Sequence, residues 1–335
     1  MRRALAGLAA LGAGGAVGWR VVRLRDARAI AEDPEYAILE APLSGEPRTV
    51  TSADGTELHA EVFGPDGAPT VVLVHGWLCT ALMWRLQVRE LMPELRVVTY
   101  DHRGHGQSSP APTEDYSADA LAADLRAVLD QTVPRDEQAI VVGHSMGAMA
   151  VVAWADANPA DVASRLAGAV LVNVGVEELV RRSTIIPFPA GLATLRVAVG
   201  GRILGAKLRL PARPNPVLSR VVRAIGLGPG ASPAQVAFFA RMVLTCAAEV
   251  RAAFGATLTG FDLARGVSKL TVPTVVVAGE NDRLTPPVHA RAIVEALPDA
   301  TLVELPGVGH GAPLEAHVEV TGAIQDLARR VLLPT

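Results

Sequence analysis

Short apolar runs that alternate with helix-like stretches dominate the chain from residue 50 onward. Runs this short and continuous are typical of buried parallel strands. Residues 117–131, between two of the runs, carry apolar side chains at a helical spacing. A hairpin signal, Asp54-Gly55 between two alternating segments over 50–63, precedes them. Repeated strand–helix alternation predicts an α/β protein with a mostly parallel sheet and helices on both faces. The runs cover residues 70–74, 96–100, 140–142, 169–173, 275–279 and 301–305.

The N-terminal stretch has a different pattern. Residues 4–22 are apolar apart from Arg20, and arginines flank the run on both sides. The length is marginal for a transmembrane helix, and the heavier arginine cluster on the C-terminal side would keep the following domain in the cytoplasm. We therefore expect a membrane-associated segment over residues 1–30. A signal peptide cleaved near residues 13–15, which would export the protein, and a helix lying on the protein are the alternatives.

Breaks in the pattern divide the rest of the chain. Residues 31–48 contain turn-forming pairs and are interpreted as a linker, and residues 49–175 and 266–335 form the two parts of one α/β core. The segment between them, 176–265, has no clear strand run and many prolines. Its best helical run extends from Ser232 to Thr257, with Ser232 as the N-cap and Pro233 in the first turn. This segment is predicted to be a helical insertion.

Charge distinguishes this insertion from the whole chain. It carries twelve basic and four acidic residues, a balance of +8, whereas the net charge of the protein is −3. One interpretation is that the arginines only solubilise the outer surface of the insertion. Together with residues 4–22, however, they suggest that the insertion approaches an anionic membrane surface. The overall charge argues against a nucleic-acid partner, and two cysteines cannot form a disulfide framework.

The strongest chemical signal is Gly143-His144-Ser145-Met146-Gly147, which follows an apolar strand and precedes an alanine-rich helical run. Such a sharp turn imposes a strained backbone on its central residue, so the flanking positions must be small. Ser145 would project from the turn at the helix N-terminus. There the backbone N–H of Met146 could face a developing oxyanion.

This arrangement resembles the nucleophile elbow of the α/β-hydrolase family, and the resemblance extends from about residue 50 to the C-terminus. It implies an α/β-hydrolase fold with a helical cap inserted after the strand that follows the elbow strand, where residues 176–265 lie. It also implies that the loop after strand 70–74 supplies a second oxyanion N–H, here that of Trp77, with Gly76 allowing close approach. His75 would be a buried structural residue of that loop.

A serine hydroxyl needs a base to accept its proton and a carboxylate to orient the base. The family order is serine, acid, histidine. Asp282 follows strand 275–279 and is the predicted acid, with Glu280 as a rival nearer the strand. His310 lies on a glycine turn after the last strand and is the predicted base. His144 is expected to be structural.

Other polar positions receive structural interpretations. Asp101, His102 and His105 lie in a glycine-rich loop and are expected to form a hydrogen-bonded scaffold rather than a metal site. Thr285 and Pro286 are interpreted as the N-cap and first residue of the next helix. His59, His289 and His317 lie in polar contexts typical of a surface.

These observations predict a serine hydrolase acting on an ester or thioester of a hydrophobic acyl group. Ser145, Asp282 and His310 would be catalytic, and the N–H groups of Trp77 and Met146 would bind the oxyanion. The substrate is a small-molecule or lipid-like ester, and no cofactor or metal is expected. The predicted substrate-binding side chains are Trp84, for which core packing is the simpler role, Phe188, Phe238 and Phe239.

Related chemistries share the same residues. Acyl transfer, cofactor-free perhydrolysis of the haloperoxidase type and a non-catalytic binding protein of the same fold remain alternatives. The aspartate nucleophile and cap tyrosines of epoxide hydrolases have no counterpart in this sequence.

Overall fold

The computed structural model describes residues 18–185, 193–211 and 213–333. Its strands form a single eight-stranded sheet in the order β1-β2-β4-β3-β5-β6-β7-β8. The strands are β1 (Glu46–Thr51), β2 (Glu57–Phe63), β3 (Thr70–Val74), β4 (Arg96–Tyr100), β5 (Ala139–His144), β6 (Leu166–Val172), β7 (Thr274–Gly279) and β8 (Ala300–Leu305).

Strand direction divides the sheet into two parts. The six strands β3 to β8 pair in parallel. At one edge, β2 pairs antiparallel with β4 and β1 pairs antiparallel with β2. Gly55, with φ of 86°, lies in the predicted hairpin turn between β1 and β2. The predicted mostly parallel α/β sheet, opened by a hairpin, is therefore confirmed. Since parallel strands share an orientation, the loops after β3, β5, β6, β7 and β8 meet at one edge.

Helices cover both faces of the sheet and fill the long connection between β6 and β7. The described part of the first helix, α1, covers 18–31. The others are α2 (Pro34–Glu40), α3 (Arg85–Leu91), α4 (Ala118–Thr132), α5 (Met146–Ala157), α6 (Val162–Arg165), α7 (Leu179–Arg182), α8 (Ala193–Leu204), α9 (Pro216–Gly226), α10 (Pro233–Thr245), α11 (Ala248–Leu258), α12 (Ala264–Val267), α13 (Pro287–Ala296), α14 (Ala312–Glu315) and α15 (His317–Val331).

Two apolar cores lie on opposite faces of the sheet. In β3, Val72 and Val74 belong to the core that includes α4 and α5, and Val71 and Leu73 belong to the core that includes α3 and α15. All four side chains are fully buried. Each buried valine or leucine contributes roughly 1.5–3 kcal/mol relative to an exposed one. The central strands are thus a rigid base for the loops at their ends.

Within its described residues, the connection between β6 and β7 contains six helices, α7 to α12, joined by irregular segments, and no strand. Ser232 is an N-cap as expected, and it forms a capping box with Gln235. The predicted continuous helix over 232–257 is instead two helices, α10 and α11. Cys246 takes an extended backbone conformation between them and ends the first helix.

Residues 31–48 are not the linker that their sequence pattern indicates, because they contain α2 and the start of β1. Asp33 caps α2 by accepting a hydrogen bond from Glu35 N, and Leu39 is buried in the core. Asp33 also accepts a hydrogen bond from Ala234 N at the start of α10 (2.9 Å). Glu40 forms an ion pair with Arg241. These contacts attach the segment to the insertion, which corrects the linker interpretation.

The predicted membrane segment lies only partly within the described residues. Residues 4–17 of the apolar run lie outside them, and residues 18–22 belong to α1, where all five are exposed. Across residues 18–185, 193–211 and 213–333, no helix combines the length and apolar character needed to cross a bilayer.

Candidate active site

Ser145 occupies the sharp turn between β5 and α5. Its backbone has φ of 52° and ψ of −118°, a conformation that side-chain-bearing residues rarely adopt. A Cβ on Gly143 would lie 2.4 Å from Ala148 N, and one on Gly147 would lie 2.2 Å from Val74 O. Glycine is therefore required at both positions, and the serine is held in the strained geometry of a nucleophile elbow.

Asp282 follows β7 and receives hydrogen bonds on both carboxylate oxygens. Leu284 N and Thr285 N donate to Oδ1 at 2.8 and 2.9 Å, and Asn173 Nδ2 donates to Oδ2 at 2.7 Å. Burial raises the pKa of Asp282, but the charge of His310 and these hydrogen bonds outweigh it and hold the pKa below its ordinary value. The carboxylate is therefore ionised at neutral pH.

The rival acid, Glu280, does not take part in this arrangement. It is exposed, and its Oε2 accepts a hydrogen bond from Gly307 N at 3.0 Å. Asp282, and not Glu280, is the carboxylate after β7 that contacts His310.

His310 lies in the loop between β8 and α14 and is 6% exposed. Its Nδ1 is 2.7 Å from Asp282 Oδ2, so Nδ1–H donates to the carboxylate and Nε2 keeps its lone pair. His144 Nε2–H donates to the backbone oxygen of His310 at 2.7 Å. Because His144 precedes Ser145 in the chain, this bond fixes the base beside the elbow. His144 thus has a structural contact, as the sequence indicated.

The serine hydroxyl makes no hydrogen bond to any of the described residues. The ring of His144 is 5.0 Å from that of His310 between centroids, and Ser145 is the next residue in the chain. Catalytic hydrogen bonds are often long in unliganded enzymes and shorten when substrate binds. The arrangement is thus compatible with proton transfer from Ser145.

The loop after β3 lies against the elbow. A Cβ on Gly76 would be 3.1 Å from Ser145 Cβ and 2.8 Å from His144 Nδ1, so only glycine allows this approach. Leu78 has φ of 64°, and Cys79 N donates to Gly76 O across the turn. Within the described ranges the N–H of Trp77 has no acceptor.

Met146 is the first residue of α5, where N–H groups have no intrahelical acceptor. The N–H groups of Trp77 and Met146, which lie on two segments adjoining Ser145, therefore have no acceptor among the described residues.

The polar loop after β4 is a hydrogen-bonded scaffold, as expected. Asp101 accepts hydrogen bonds from Ala81 N at 2.8 Å and Gln107 N at 2.9 Å. His102 Nε2 contacts the backbone oxygen of His75 at 2.9 Å, and the backbone N–H of His102 donates to His75 Nε2. These contacts connect the loop after β4 to the loop that carries Trp77.

The predicted substrate-binding aromatic residues that the structure describes are packed in the apolar core. Trp84 is fully buried, with its ring 6.5 Å from that of His144. Phe238 and Phe239 are 5% and 7% exposed and belong to the same apolar core. These three side chains fill the core, which corrects the expectation that they line an acyl pocket. Phe188 lies outside the described residues.

Two residues beside the acid have roles that the sequence pattern does not reveal. Asn173 takes φ of 50° just after β6, and its Nδ2 also contacts Gly309 O at 3.1 Å. Thr285 Oγ1 lies 2.7 Å from Asp282 Oδ2 and 2.9 Å from Asn173 O. Thr285 is therefore not a helix cap, because α13 begins at Pro287 with Pro286 as its N-cap. The only feature of the sequence that indicates a role for Asn173 and Thr285 is that each is a polar residue following a strand, at the sheet edge where the site forms.

His289 is not at the surface, which corrects the expectation from its polar context. It is 2% exposed, and burial lowers its pKa to about 4. Its ring lies close to Gly175, where an added Cβ would be 3.0 Å from His289 Nδ1.

A family model described as "Alpha/beta hydrolase family" matches residues 71–323. The chain belongs to the alpha/beta hydrolase family.

Several relatives are matched over nearly their whole length. The chain is similar to a protein of Variovorax paradoxus provisionally named a carbamate hydrolase, at 30% identity over 83% of this chain and 98% of that protein. It is also similar to a non-heme chloroperoxidase of Streptomyces lividans, at 31% identity over 81% of this chain and 95% of the relative. Among solved structures of alpha/beta hydrolases, a thermophilic esterase from Thermogutta terrifontis superposes with a TM-score of 0.69, at 25% identity over 85% and 98% of the two chains.

Proposed function

We propose that this alpha/beta hydrolase is a serine hydrolase that cleaves an ester or thioester through an acyl-enzyme on Ser145. The observation that carries the proposal is the 2.7 Å contact between His310 Nδ1 and an ionised Asp282, formed beside the strained turn that presents Ser145. The similarity to an esterase structure supports the same reaction class.

In this mechanism, Ser145 Oγ attacks the substrate carbonyl while His310 Nε2 takes the hydroxyl proton. Asp282 keeps the imidazole in the tautomer with Nδ1–H and stabilises the imidazolium. The N–H groups of Trp77 and Met146 bind the oxyanion. His310 then delivers its proton to the leaving alcohol or thiol. Water, deprotonated by the same histidine, attacks the acyl-enzyme, releases the carboxylic acid and restores Ser145.

A hydrophobic acyl group fits the surroundings of the site. Trp77 and Leu78 are half-buried and pack against the core of α4 and α5, and Leu179 of the insertion packs against the same core. Leu227, also in the insertion, lies over the loop of His310, because a Cβ on Gly311 would meet it at 2.4 Å. Apolar walls of this kind favour hydrocarbon chains over polar acyl groups.

Perhydrolysis is the second candidate, and the similarity to a chloroperoxidase favours it. Hydrogen peroxide would then replace water as the acyl acceptor. Acyl transfer differs only in using an alcohol or amine as the acceptor. Measuring product partitioning of one acyl-enzyme between water, peroxide and alcohols would separate these three outcomes.

The decisive experiment combines a fluorophosphonate probe with a chain-length series of chromogenic esters and thioesters. The wild-type protein should be labelled at Ser145, and Ser145→Ala should lose labelling and several orders of magnitude of turnover. Ser164→Ala, at an exposed serine of α6, is the matched control and should behave as wild type. An unlabelled wild-type protein would instead indicate a binding protein of this fold.

Association with an anionic membrane surface is proposed as well. In α9, Val217, Val221 and Ile225 form a stripe with exposed fractions of 59%, 47% and 36%. Arg220, three residues after Val217, borders this stripe, and Arg223 is also exposed on the same helix. An apolar stripe bordered by arginines is the pattern of a helix that lies on an anionic bilayer.

The first helix extends this surface. In α1, Trp19, Val21 and Leu24 are exposed, and Asp26 pairs with Arg220 of α9 at 3.2 Å. The predicted apolar run over 4–22 leads into this helix. A membrane contact made by α1 and α9 would therefore bring the insertion, and the site below it, to a lipid surface.

Flotation of the full chain with phosphatidylglycerol-containing vesicles tests this surface. Binding should weaken as salt rises, and Val217→Ser with Val221→Ser should reduce it several-fold without changing turnover of a soluble ester. Val318→Ser, at an exposed position of α15, is the control. Equal binding by the α9 variant would rule out this surface.

A further inference from the structure

Glu315, at the end of α14, connects two segments that are far apart in sequence. Its Oε2 accepts a hydrogen bond from Gly228 N at 2.6 Å. Gly309 N lies 3.2 Å from both carboxylate oxygens, and Gly311 N donates to Oε1 at 3.1 Å. One carboxylate thus holds three backbone N–H groups.

The three donors belong to different parts of the molecule. Gly309 and Gly311 immediately flank His310, whereas Gly228 lies between α9 and α10 of the helical insertion. The segments pack closely: a Cβ on Gly228 would lie 2.3 Å from Gly307 O, and one on Gly309 would lie 2.3 Å from Gly228 N. The insertion therefore rests directly on the loop of His310, and Glu315 binds both.

We propose that Glu315 is a positioning residue that fixes the backbone on both sides of His310. Through its bond to Gly228, it also makes the position of that histidine depend on how the insertion packs against the loop. The inference rests on the proposed function, because it assigns Glu315 a role through His310. Glu315 itself touches neither substrate nor reacting atoms in this proposal.

The chemistry of the contact requires the ionised carboxylate. Burial raises the pKa of Glu315 above its ordinary value, and the three N–H groups and His310 act against that shift. A protonated or amide side chain would turn an N–H or O–H donor toward backbone donors, which would open the contact. Glu315→Gln keeps the size of the side chain and replaces one of its two acceptor oxygens with an N–H donor.

The first test measures Glu315→Gln with a soluble ester. A small displacement of a catalytic group can cost about a hundredfold in rate, so kcat should fall roughly 10- to 100-fold while KM stays within about twofold. Glu319→Gln, an exposed acid on α15, is the matched control and should leave both constants unchanged. Unchanged kcat in a correctly folded Glu315→Gln protein would overturn the proposal.

The second test separates positioning from a purely structural role. In a His310→Ala background, Glu315→Gln should cause no further loss of residual activity, because the group it positions is already absent. A further loss of the same size as in the wild type would mean that Glu315 acts independently of His310. Thermal unfolding of each variant shows whether a lower rate reflects loss of folded protein.

The insertion side of the contact is tested by Gly228→Ala. The added methyl would lie 2.8 Å from Glu315 Oε2 as well as close to Gly307 O, so kcat should fall with the same pattern as in Glu315→Gln. Gly230→Ala is the control, since nothing among the described residues lies within 4 Å of its Cβ position. Equal kcat in the two glycine variants would contradict the coupling between the insertion and His310.

Failure of the proposed function has a different signature. If the wild-type protein neither hydrolyses esters nor reacts with the fluorophosphonate probe, the serine mechanism itself is wrong. If the wild type is active and only the Glu315 and Gly228 variants fail to differ from their controls, the mechanism stands and the positioning role is rejected.

Discussion

His75 and His310 occupy similar places in the fold, but their ring nitrogens have different hydrogen-bond partners. Each lies in a loop directly after a parallel strand, each is nearly buried, and each has an aspartate nearby. His75 Nδ1–H donates to Gly76 O, and its Nε2 accepts from His102 N–H, so both nitrogens are occupied. In His310, Nδ1 contacts Asp282, and Nε2 is left open by the described residues.

The aspartates differ in the same way. Asp101 Oδ1 is 3.9 Å from His75 Nε2, and the Asp101 carboxylate is occupied by backbone N–H groups. Asp282 is 2.7 Å from His310. Burial and a neighbouring carboxylate are therefore shared by both histidines. The open second nitrogen is the feature that distinguishes His310 as the proposed base.

The largest expected effect separates the two histidines directly. His310→Ala should lower kcat by about 10⁴- to 10⁶-fold, as triad histidine removal does, with little change in melting temperature. His75→Ala should lower stability by about 1–3 kcal/mol, since it leaves His102 N–H without its acceptor. Active sites in the His75 variant should be titrated with the fluorophosphonate probe. If kcat per labelled site falls as far as in His310→Ala, the comparison fails.

A smaller effect is expected at the aspartates. Asp282→Asn should reduce kcat by about 10⁴-fold, because the amide can donate to Nδ1 and favour the wrong imidazole tautomer. Asp101→Asn should leave the rate per folded enzyme nearly intact. It should lower the unfolding free energy, because an NH2 donor replaces one of the two carboxylate oxygens that accept from Ala81 N and Gln107 N. Paired kinetics and urea unfolding measure both. A stable Asp101 variant with the same kinetic defect would contradict the assignment of roles.

The elements whose geometry is imposed locally can be predicted from the sequence. The apolar run, two glycines and alanine-rich helix around Ser145 leave almost no alternative to a strand–turn–helix. Asp282 and His310 are predictable because each follows a strand and parallel strands bring their ends to one edge.

Residues that act only after folding cannot be predicted in this way. Asn173 and Glu315 reach partners more than 80 positions away along the chain, and no local pattern encodes those contacts. The sequence around Thr285 is misleading because Thr-Pro is a good helix start by itself, whereas the hydroxyl lies against Asp282 in the fold. The helix α2 does have a local start signal, with Asp33 as N-cap followed by Pro34, but its seven residues are too few to show a helical period, and its partner Ala234 lies far along the chain.

The smallest expected effect is a dependence of stability on pH that distinguishes His75 from a solvent-accessible histidine. Burial lowers the pKa of His75 to about 4, from 6.5 in an unfolded chain, and lowers the pKa values of His105 and His144 to about 3. Below pH 6.5 the unfolded chain therefore binds protons that the folded protein excludes. Stability should decrease as the pH falls, by up to about 1.4 kcal/mol per pH unit for each such histidine.

The decline attributable to His75 should span pH 6.5 to about 4, because below the folded pKa both states bind the proton. His75→Gln removes this one titrating group, so its unfolding free energy should be lower at pH 7 but decrease less steeply between about pH 6.5 and 4.5. Urea unfolding at half-unit pH intervals, with wild type and variant measured side by side, cancels the contributions of the carboxylates. Parallel curves would mean that His75 takes up its proton in the folded state, and that its nitrogens are not occupied as the scaffold requires.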